Sequence, residues 1–331
     1  MADVPVALIV VMVLALAFDF SNGLNDAANA IATVVGTRVL SPTKAILMSA
    51  CLNIAGAFAG TAVAKTVGAG IIKPEAFTDL YVLIAALSAA AIWTFFTSYY
   101  GLPISASHAL IASLVGAGIA TAGTDALIAS GLFKVLIALL VAPFAGFAIG
   151  FLVMTAINWL FHSSNPGRVY NVFGRLQILS AAFMAFSHGN NDAQKTMGIM
   201  TMALLVSGRI QEFAVPWWVI LMAAFAMGTG TAIGGWRVIK TLGMRIAKLR
   251  PVDGFAAESS AALVITVASR FGLPLSTTHV ISAGITGVGS TKRLSAVRWG
   301  IARSILLAWV LTFPVCGIFA WGVAEIIELT T

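Results

Sequence analysis

Long apolar runs separated by short polar stretches occupy almost all of the 331 residues. About 20 apolar residues suffice to span the hydrocarbon core of a bilayer. Ten such runs can be drawn, near residues 4–36, 44–68, 80–99, 104–121, 132–160, 176–206, 215–237, 255–271, 275–290 and 299–324. The pattern predicts an all-α polytopic membrane protein with no room for a separate soluble domain. The first and sixth runs are unusually long and carry polar clusters, Ser21-Asn22-Gly23-Leu24-Asn25-Asp26 and Ser187-His188-Gly189-Asn190-Asn191-Asp192. Irregular backbone persists at membrane depth only where it is buried in protein or lines a cavity. Both clusters are therefore expected to be broken helix at a site near the midplane. Met1 to Asp3 lack the basic region of a cleavable leader, so the first run is expected to remain in the mature protein.

The chain repeats itself. FSNGLNDA at 20–27 aligns with FSHGNNDA at 186–193, and GLPISASH at 101–108 aligns with GLPLSTTH at 272–279. Each half holds five runs, an odd number, so the second half must enter from the opposite face. That arrangement is an inverted-topology repeat of five plus five segments, or ten to twelve if broken helices are counted separately. Such repeats usually hold their substrate at the interface where broken helices meet. The predicted division is a first repeat at 1–161, a linker at 162–175 and a second repeat at 176–331.

Only 9% of the residues are charged, yet the net charge is +7. In a chain this apolar the excess reports topology rather than nucleic-acid binding. Counting every run as a crossing puts Arg38, Lys44, Arg168, Arg175, Arg237, Lys240, Arg245, Lys248, Arg250, Lys292, Arg293, Arg298 and Arg303 on one side. Only Lys65, Lys73, Lys134, Arg209 and Arg270 fall on the other. The positive-inside rule then makes the linker and the 237–253 loop cytoplasmic and puts both termini outside. Cys51 and Cys316 show no metal or disulfide spacing and read as core residues.

Asp26 and Asp192 are the foremost functional candidates, because a carboxylate at membrane depth costs several kcal/mol unless something compensates it. Asn25 and Asn191 precede them, and Asn22, Asn29 and Asn190 add neutral amide oxygens. Carboxylate and carbonyl oxygens suit a hard cation; an Asp capping a half-helix is the plain alternative. In GLPxSxxH the Pro cannot continue a helix, so Ser105, Ser107, Ser276, Thr277 and Thr278 fall at new helix N-termini. Hydroxyls and free N–H groups there form an anion cradle, while Ser105 and Ser276 can also serve as ordinary caps. His108 and His279 close both motifs and could donate to an oxyanion, carry a proton or bond a carbonyl. Lys195 aligns with Asn29 and can act as a fixed cation beside a carboxylate. Glu258 aligns with Leu87 and is an unduplicated intramembrane acid. Ser, His and Asp together allow a membrane hydrolase, but a duplicated set without a single nucleophile and base suits binding and release instead.

The doubled signatures NGLNDAANA and HGNNDAQKTMG, with the two GLPxSxxH motifs, resemble the inorganic phosphate transporter family, also known as Pit or type III sodium–phosphate cotransporters. The resemblance runs from about residue 4 to 324. It implies a non-enzymatic secondary transporter that imports inorganic phosphate with sodium or protons as coupling ions and without a cofactor. It also implies phosphate held by Ser105, Ser107, Ser276, Thr277, Thr278, Asn25 and Asn191. Sodium would sit at Asp26 and Asp192, helped by Asn22, Asn25, Asn190 and Asn191. Lys195, Glu258, His108 and His279 would take part in coupling. A sulfate or general oxyanion carrier and an anion channel are the competing readings. The setting is the plasma (inner) membrane, with the lipid bilayer as partner and a homodimer left open.

Overall fold

The computed structural model describes residues 5–74 and 80–330; Met1 to Val4, and with them the leader reading, lie outside it. Twelve helices make up the described chain: α1 (Val6–Gly36), α2 (Pro42–Ala57), α3 (Ala62–Ala69), α4 (Tyr81–Tyr100), α5 (Ala106–Ala122), α6 (Ala129–Leu160), α7 (Pro166–Val206), α8 (Trp217–Ile233), α9 (Trp236–Lys240), α10 (Pro251–Arg270), α11 (Thr277–Ser290) and α12 (Trp299–Thr330). Proline opens α2, α7 and α10, where its missing N–H has no helical acceptor to lose. Among the described residues six single helices, α1, α4, α6, α7, α10 and α12, are long and apolar enough to cross a membrane, and two bent pairs, α2 with α3 at 73° and Trp217–Ile233 with Trp236–Met244 at 63°, pass the same test together.

The expected interruptions of the first and sixth runs are absent. Both α1 and α7 run unbroken through their polar clusters. The glycines within the clusters serve close packing: a Cβ on Gly23 would lie 2.3 Å from the Met227 carbonyl oxygen, and one on Gly189 would lie 2.2 Å from that of Asn53. Each glycine thus lets a bent span, α8 or α2, press against the polar turn and enclose it. The linker is also shorter than expected, since α7 is helical from Pro166.

The breaks lie at the GLPxS motifs. Gly101 and Gly272 end α4 and α10 in the left-handed region, at φ 72° and 66°, where glycine carries no Cβ penalty. Behind each glycine the chain closes in the same way, with Leu102 N–H bonded to the Thr97 carbonyl and Leu273 N–H to that of Ala268. The next residues start α5 and α11.

Two apolar cores divide the molecule. One unites the start of α1 with α3, α4, α5 and the ends of α7 and α12. The other unites the end of α1 with the starts of α7 and α12, α9, α10 and α11. Since α4 and α5 belong to the first core and α10 and α11 to the second, each pair is a re-entrant hairpin rather than two crossings. The open end of the second hairpin is clamped by Asp253, which accepts from Lys292 at 2.5 Å and Arg250 at 3.2 Å. Replacing four crossings by two hairpins leaves the basic loops together on one face, so the charge segregation survives the correction. Only Arg270 moves, from a loop to a hairpin tip.

The halves mirror each other in detail. Pro143 lies inside α6 and Pro314 inside α12. Residues at the end of each bent span, Ile72 and Ala247, pair with Leu127 and Val297. Cys316 is buried as expected, but Cys51 is exposed on the surface of its apolar helix.

Candidate functional site

Between the two cores lies a layer of buried polar side chains, and Asp26 and Asp192 are at its centre, 2% and 1% exposed. Asn25 and Asn191 reach away from it to anchor the hairpins. Asn25 Nδ2 donates to Ser98 Oγ at 2.9 Å and the Leu102 carbonyl at 3.5 Å. Asn191 Nδ2 does the same to Ser269 Oγ at 2.8 Å and the Leu273 carbonyl at 3.3 Å. The first Asn of each motif therefore holds the break of its own repeat's hairpin in register with the carboxylate that follows.

The hairpin tips bring the second motif to the first. Ser105 and Ser276 are N-caps, accepting from the N–H of His108 at 3.1 Å and of His279 at 3.2 Å. Thr277 Oγ1 lies 3.2 Å from an Oδ2 of both Asp26 and Asp192, and Thr278 Oγ1 donates to Asp26 Oδ1 at 3.1 Å. Asn29 Nδ2 donates to both threonines, at 3.1 and 3.0 Å. Ser107 is engaged differently, donating to the Leu275 carbonyl at 2.7 Å. The first-turn N–H groups of α5 and α11 have no acceptor within their own helices, so both N-termini offer donors to an anion at this level.

Two cationic or proton-bearing groups face the carboxylates. Lys195, wholly buried, donates to Asp192 Oδ1 at 2.5 Å, Ser107 Oγ at 2.5 Å and the Leu275 carbonyl at 3.0 Å. His188 Nε2 lies 3.4 Å from Asp192 Oδ2 and 3.7 Å from Asp26 Oδ2. Its Nδ1 faces Asn53 Oδ1 at 3.1 Å, and Asn53 spends its own Nδ2 on Thr231 at 2.9 Å. That chain makes Nδ1 the donor. A neutral imidazole held so turns its Nε2 lone pair on two carboxylates, an arrangement that calls for a proton or a cation between them. Asp26, His188 and Asp192 each bring one ligand atom to a group within 4.8 Å, a geometry able to hold a metal ion.

The remaining candidates lie off the centre. Both Asn22 side-chain atoms are buried without a partner, whereas Asn190 accepts from Gln194, whose Oε1 in turn caps α3 at Val63 N–H, 2.8 Å away. His108 and His279 lie tilted against each other with ring centroids 4.4 Å apart, and His279 also stacks on Trp309 at 3.6 Å. Glu258 belongs to a separate cluster, accepting from Thr33, Ser180 and Gln177, the last at 3.2 Å. Asp19 is fully buried within α1, not at the edge of a break. Sequence reasoning passed over Asn53, Ser98, Gln177, Gln194 and Ser269, although a polar residue inside an apolar run is itself a signal.

A site built this way has two carboxylates, an imidazole, one ammonium and no arginine. The profile of the phosphate transporter family matches residues 22–320. The chain belongs to that family. A probable low-affinity inorganic phosphate transporter of Bacillus subtilis (strain 168) is 45% identical over 309 residues, which cover 93% of each chain. A protein of the same description from Rhizobium meliloti (strain 1021) is 45% identical over 95% of this chain and 94% of its own. Among solved structures, a sodium-dependent phosphate transporter superposes with a TM-score of 0.92 at 25% identity, covering 99% of this chain and all of the other. Membership makes this multi-pass membrane protein a permease, and removes the hydrolase that its Ser, His and Asp residues allow.

Proposed function

We propose that this protein is a secondary active transporter that imports inorganic phosphate with sodium or protons. The observation that carries this reading is the meeting of Asp26 and Asp192, one from each repeat, on the hydroxyl of Thr277 at the N-terminus of α11. Helix N-termini and hydroxyls supply donors for an oxyanion. The two carboxylates would repel a phosphate unless protons or cations accompany it, and the sodium dependence of the related structure supports coupling. A carboxylate oxygen also accepts from the P–O–H of phosphate and repels sulfate, which has no such proton near neutral pH.

In this reading phosphate contacts Ser105, Ser107, Ser276, Thr277, Thr278, Asn25 and Asn191. Cations bind at Asp26 and Asp192 with Asn22, Asn25, Asn190 and Asn191. Two repeats, the first ending near residue 161, are joined by the short stretch before α7 at Pro166. The face bearing Arg168, Lys248 and Arg293 is cytoplasmic by the positive-inside rule, with both termini outside. Counterflow of radiolabelled phosphate in liposomes, with sodium and pH gradients imposed separately, tests the proposal. Accumulation driven by either gradient supports it; phosphate flux indifferent to both makes the protein a channel.

A further inference from the structure

The two carboxylate sites are built alike but filled differently. In the second repeat Asp192, Ser107 and the Leu275 carbonyl converge on one point, and that point is occupied by the Lys195 ammonium. A carboxylate, a hydroxyl and a backbone carbonyl are the oxygen donors that a hard cation takes. In the first repeat the alignment puts Asp26 for Asp192, Thr278 for Ser107, Ile104 for Leu275 and Asn29 for Lys195. Here no ammonium is present, and the amides are left short of partners. Asn25 Oδ1 and Asn29 Oδ1 are buried with no hydrogen-bond donor, in residues 0% and 1% exposed. Asn191, the counterpart of Asn25, has its Oδ1 satisfied by Leu275 N–H at 3.3 Å. Asp26 and Asn29, three residues apart, share one face of the unbroken α1, while Asn25 turns toward Ser98. That face offers a carboxylate and one orphan amide oxygen, next to Thr278 Oγ1 at 3.1 Å from Asp26.

We propose that Lys195 is a covalently tethered cation that permanently fills the second of two pseudo-symmetric cation sites, taking the place of the mobile cation assigned above to Asp192 and leaving the Asp26, Asn29 and Thr278 site for a mobile cation. This rests on the transport reading above and deepens it to the number of coupling ions. A tethered ammonium neutralises Asp192 in every state of the cycle but cannot be released down a gradient, so it contributes to anion binding and nothing to the driving force. The chain accordingly moves one cation fewer per phosphate than it would with an amide at 195.

The test is the cation order of phosphate uptake in proteoliposomes, measured for sodium and for protons separately, in the wild type, Lys195→Asn and Asn29→Lys. Lys195→Asn is expected to gain a sodium dependence one order steeper than the wild type, with a matching increase in the positive charge moved per phosphate. Asn29→Lys, the mirror substitution, is expected to lose cation dependence and to exchange phosphate without concentrating it; it gives a reading even if Lys195→Asn does not insert. A Lys195→Asn protein that transports with the wild-type order, or an Asn29→Lys protein that keeps its cation dependence, overturns the tethered cation alone. A wild type that fails to exchange phosphate under symmetrical ions overturns the transport reading and this inference with it.

Discussion

Asp26 and Asp192 share one hydroxyl: Thr277 Oγ1 lies 3.2 Å from an Oδ2 of each. A hydroxyl has a single proton to donate, so the two repeats compete for it and at least one carboxylate must be answered by another charge. Asp192 has Lys195 at 2.5 Å. Asp26 has only hydroxyls and, at 3.7 Å, His188. The asymmetry of the pair organises the first prediction.

Asp26→Asn and Asp192→Asn are both expected to abolish concentrative phosphate uptake, but they should differ in stability. Asp192→Asn strands the buried Lys195 charge, a change worth about 3–5 kcal/mol when one partner of a buried pair is removed. Asp26→Asn strands nothing. Thermal unfolding in detergent, beside uptake in liposomes, separates the two; equal melting temperatures would contradict the role given to Lys195.

The hydroxyls at the hairpin tips divide into caps and ligands. Ser276→Ala removes the acceptor for His279 N–H and should cost about 0.5–2 kcal/mol of stability. Thr278→Val keeps the cap and should instead weaken phosphate or cation binding, by about 1–3 kcal/mol for a polar partner left unpaired in a dry site. Competition extends the comparison to the substrate. Arsenate, which matches phosphate in shape and protonation, should compete strongly and sulfate weakly, and equal competition would favour a general oxyanion carrier.

Gly23→Ala is expected to be strongly destabilising, since its Cβ would meet the Met227 carbonyl oxygen at 2.3 Å, and overpacking typically costs about 1–3 kcal/mol or more. Gly174→Ala, with nothing within 4 Å, should be neutral or stabilising by up to about 1 kcal/mol from helix propensity. Expression level and melting temperature report the contrast.

Glu258 accepts from three side chains in a pocket of its own. Glu258→Gln turns an NH2 toward one of those donors and should lose about 1–3 kcal/mol, whereas Thr33→Val should lose less because two donors remain. A Gln variant as stable as the wild type would mean the three bonds are not all made in the membrane.

Cysteines introduced for Lys248 and Arg293 are expected to react with an impermeant reagent from the same face, and one for Glu328 from the opposite face. Both faces of the re-entrant architecture are tested by this set, and reaction of all three from one side would rule it out.

The sequence made the repeat, the doubled motifs and the hairpin-forming Pro legible because each is local: a proline or a carboxylate in an apolar run declares itself. The breaks at the two GLPxS motifs are legible from their Pro, but the further breaks expected at the Asn-Asp clusters do not exist. Hydropathy drops at Ser21–Asp26 whether or not the helix is broken, and what keeps it intact is tertiary: Asn25 spends its amide on Ser98 and Gly23 admits α8. Lys195 could be paired with a carboxylate on its own helix, at i−3, from spacing alone. Its contacts with Ser107 and the Leu275 carbonyl join three helices and could be found only once the hairpins were folded back. The partner that orients His188, Asn53, lies on a helix of the other repeat; its polarity within an apolar run marks it, but the pairing with His188 is set by the tertiary fold.

The separation of the apolar residues into two cores gives the molecule a mechanical character. Close-packed interiors are stiff, so each core behaves as a solid cap on its own face of the membrane. The polar layer between them is the compliant part, because one hydrogen bond there can be exchanged for another at little net change in energy. Because α1 and α7 pass unbroken from one core to the other at the level of Asp26 and Asp192, any movement of one cap against the other has to be carried by these two helices. An anion bound at that seam would add a bridge between the caps.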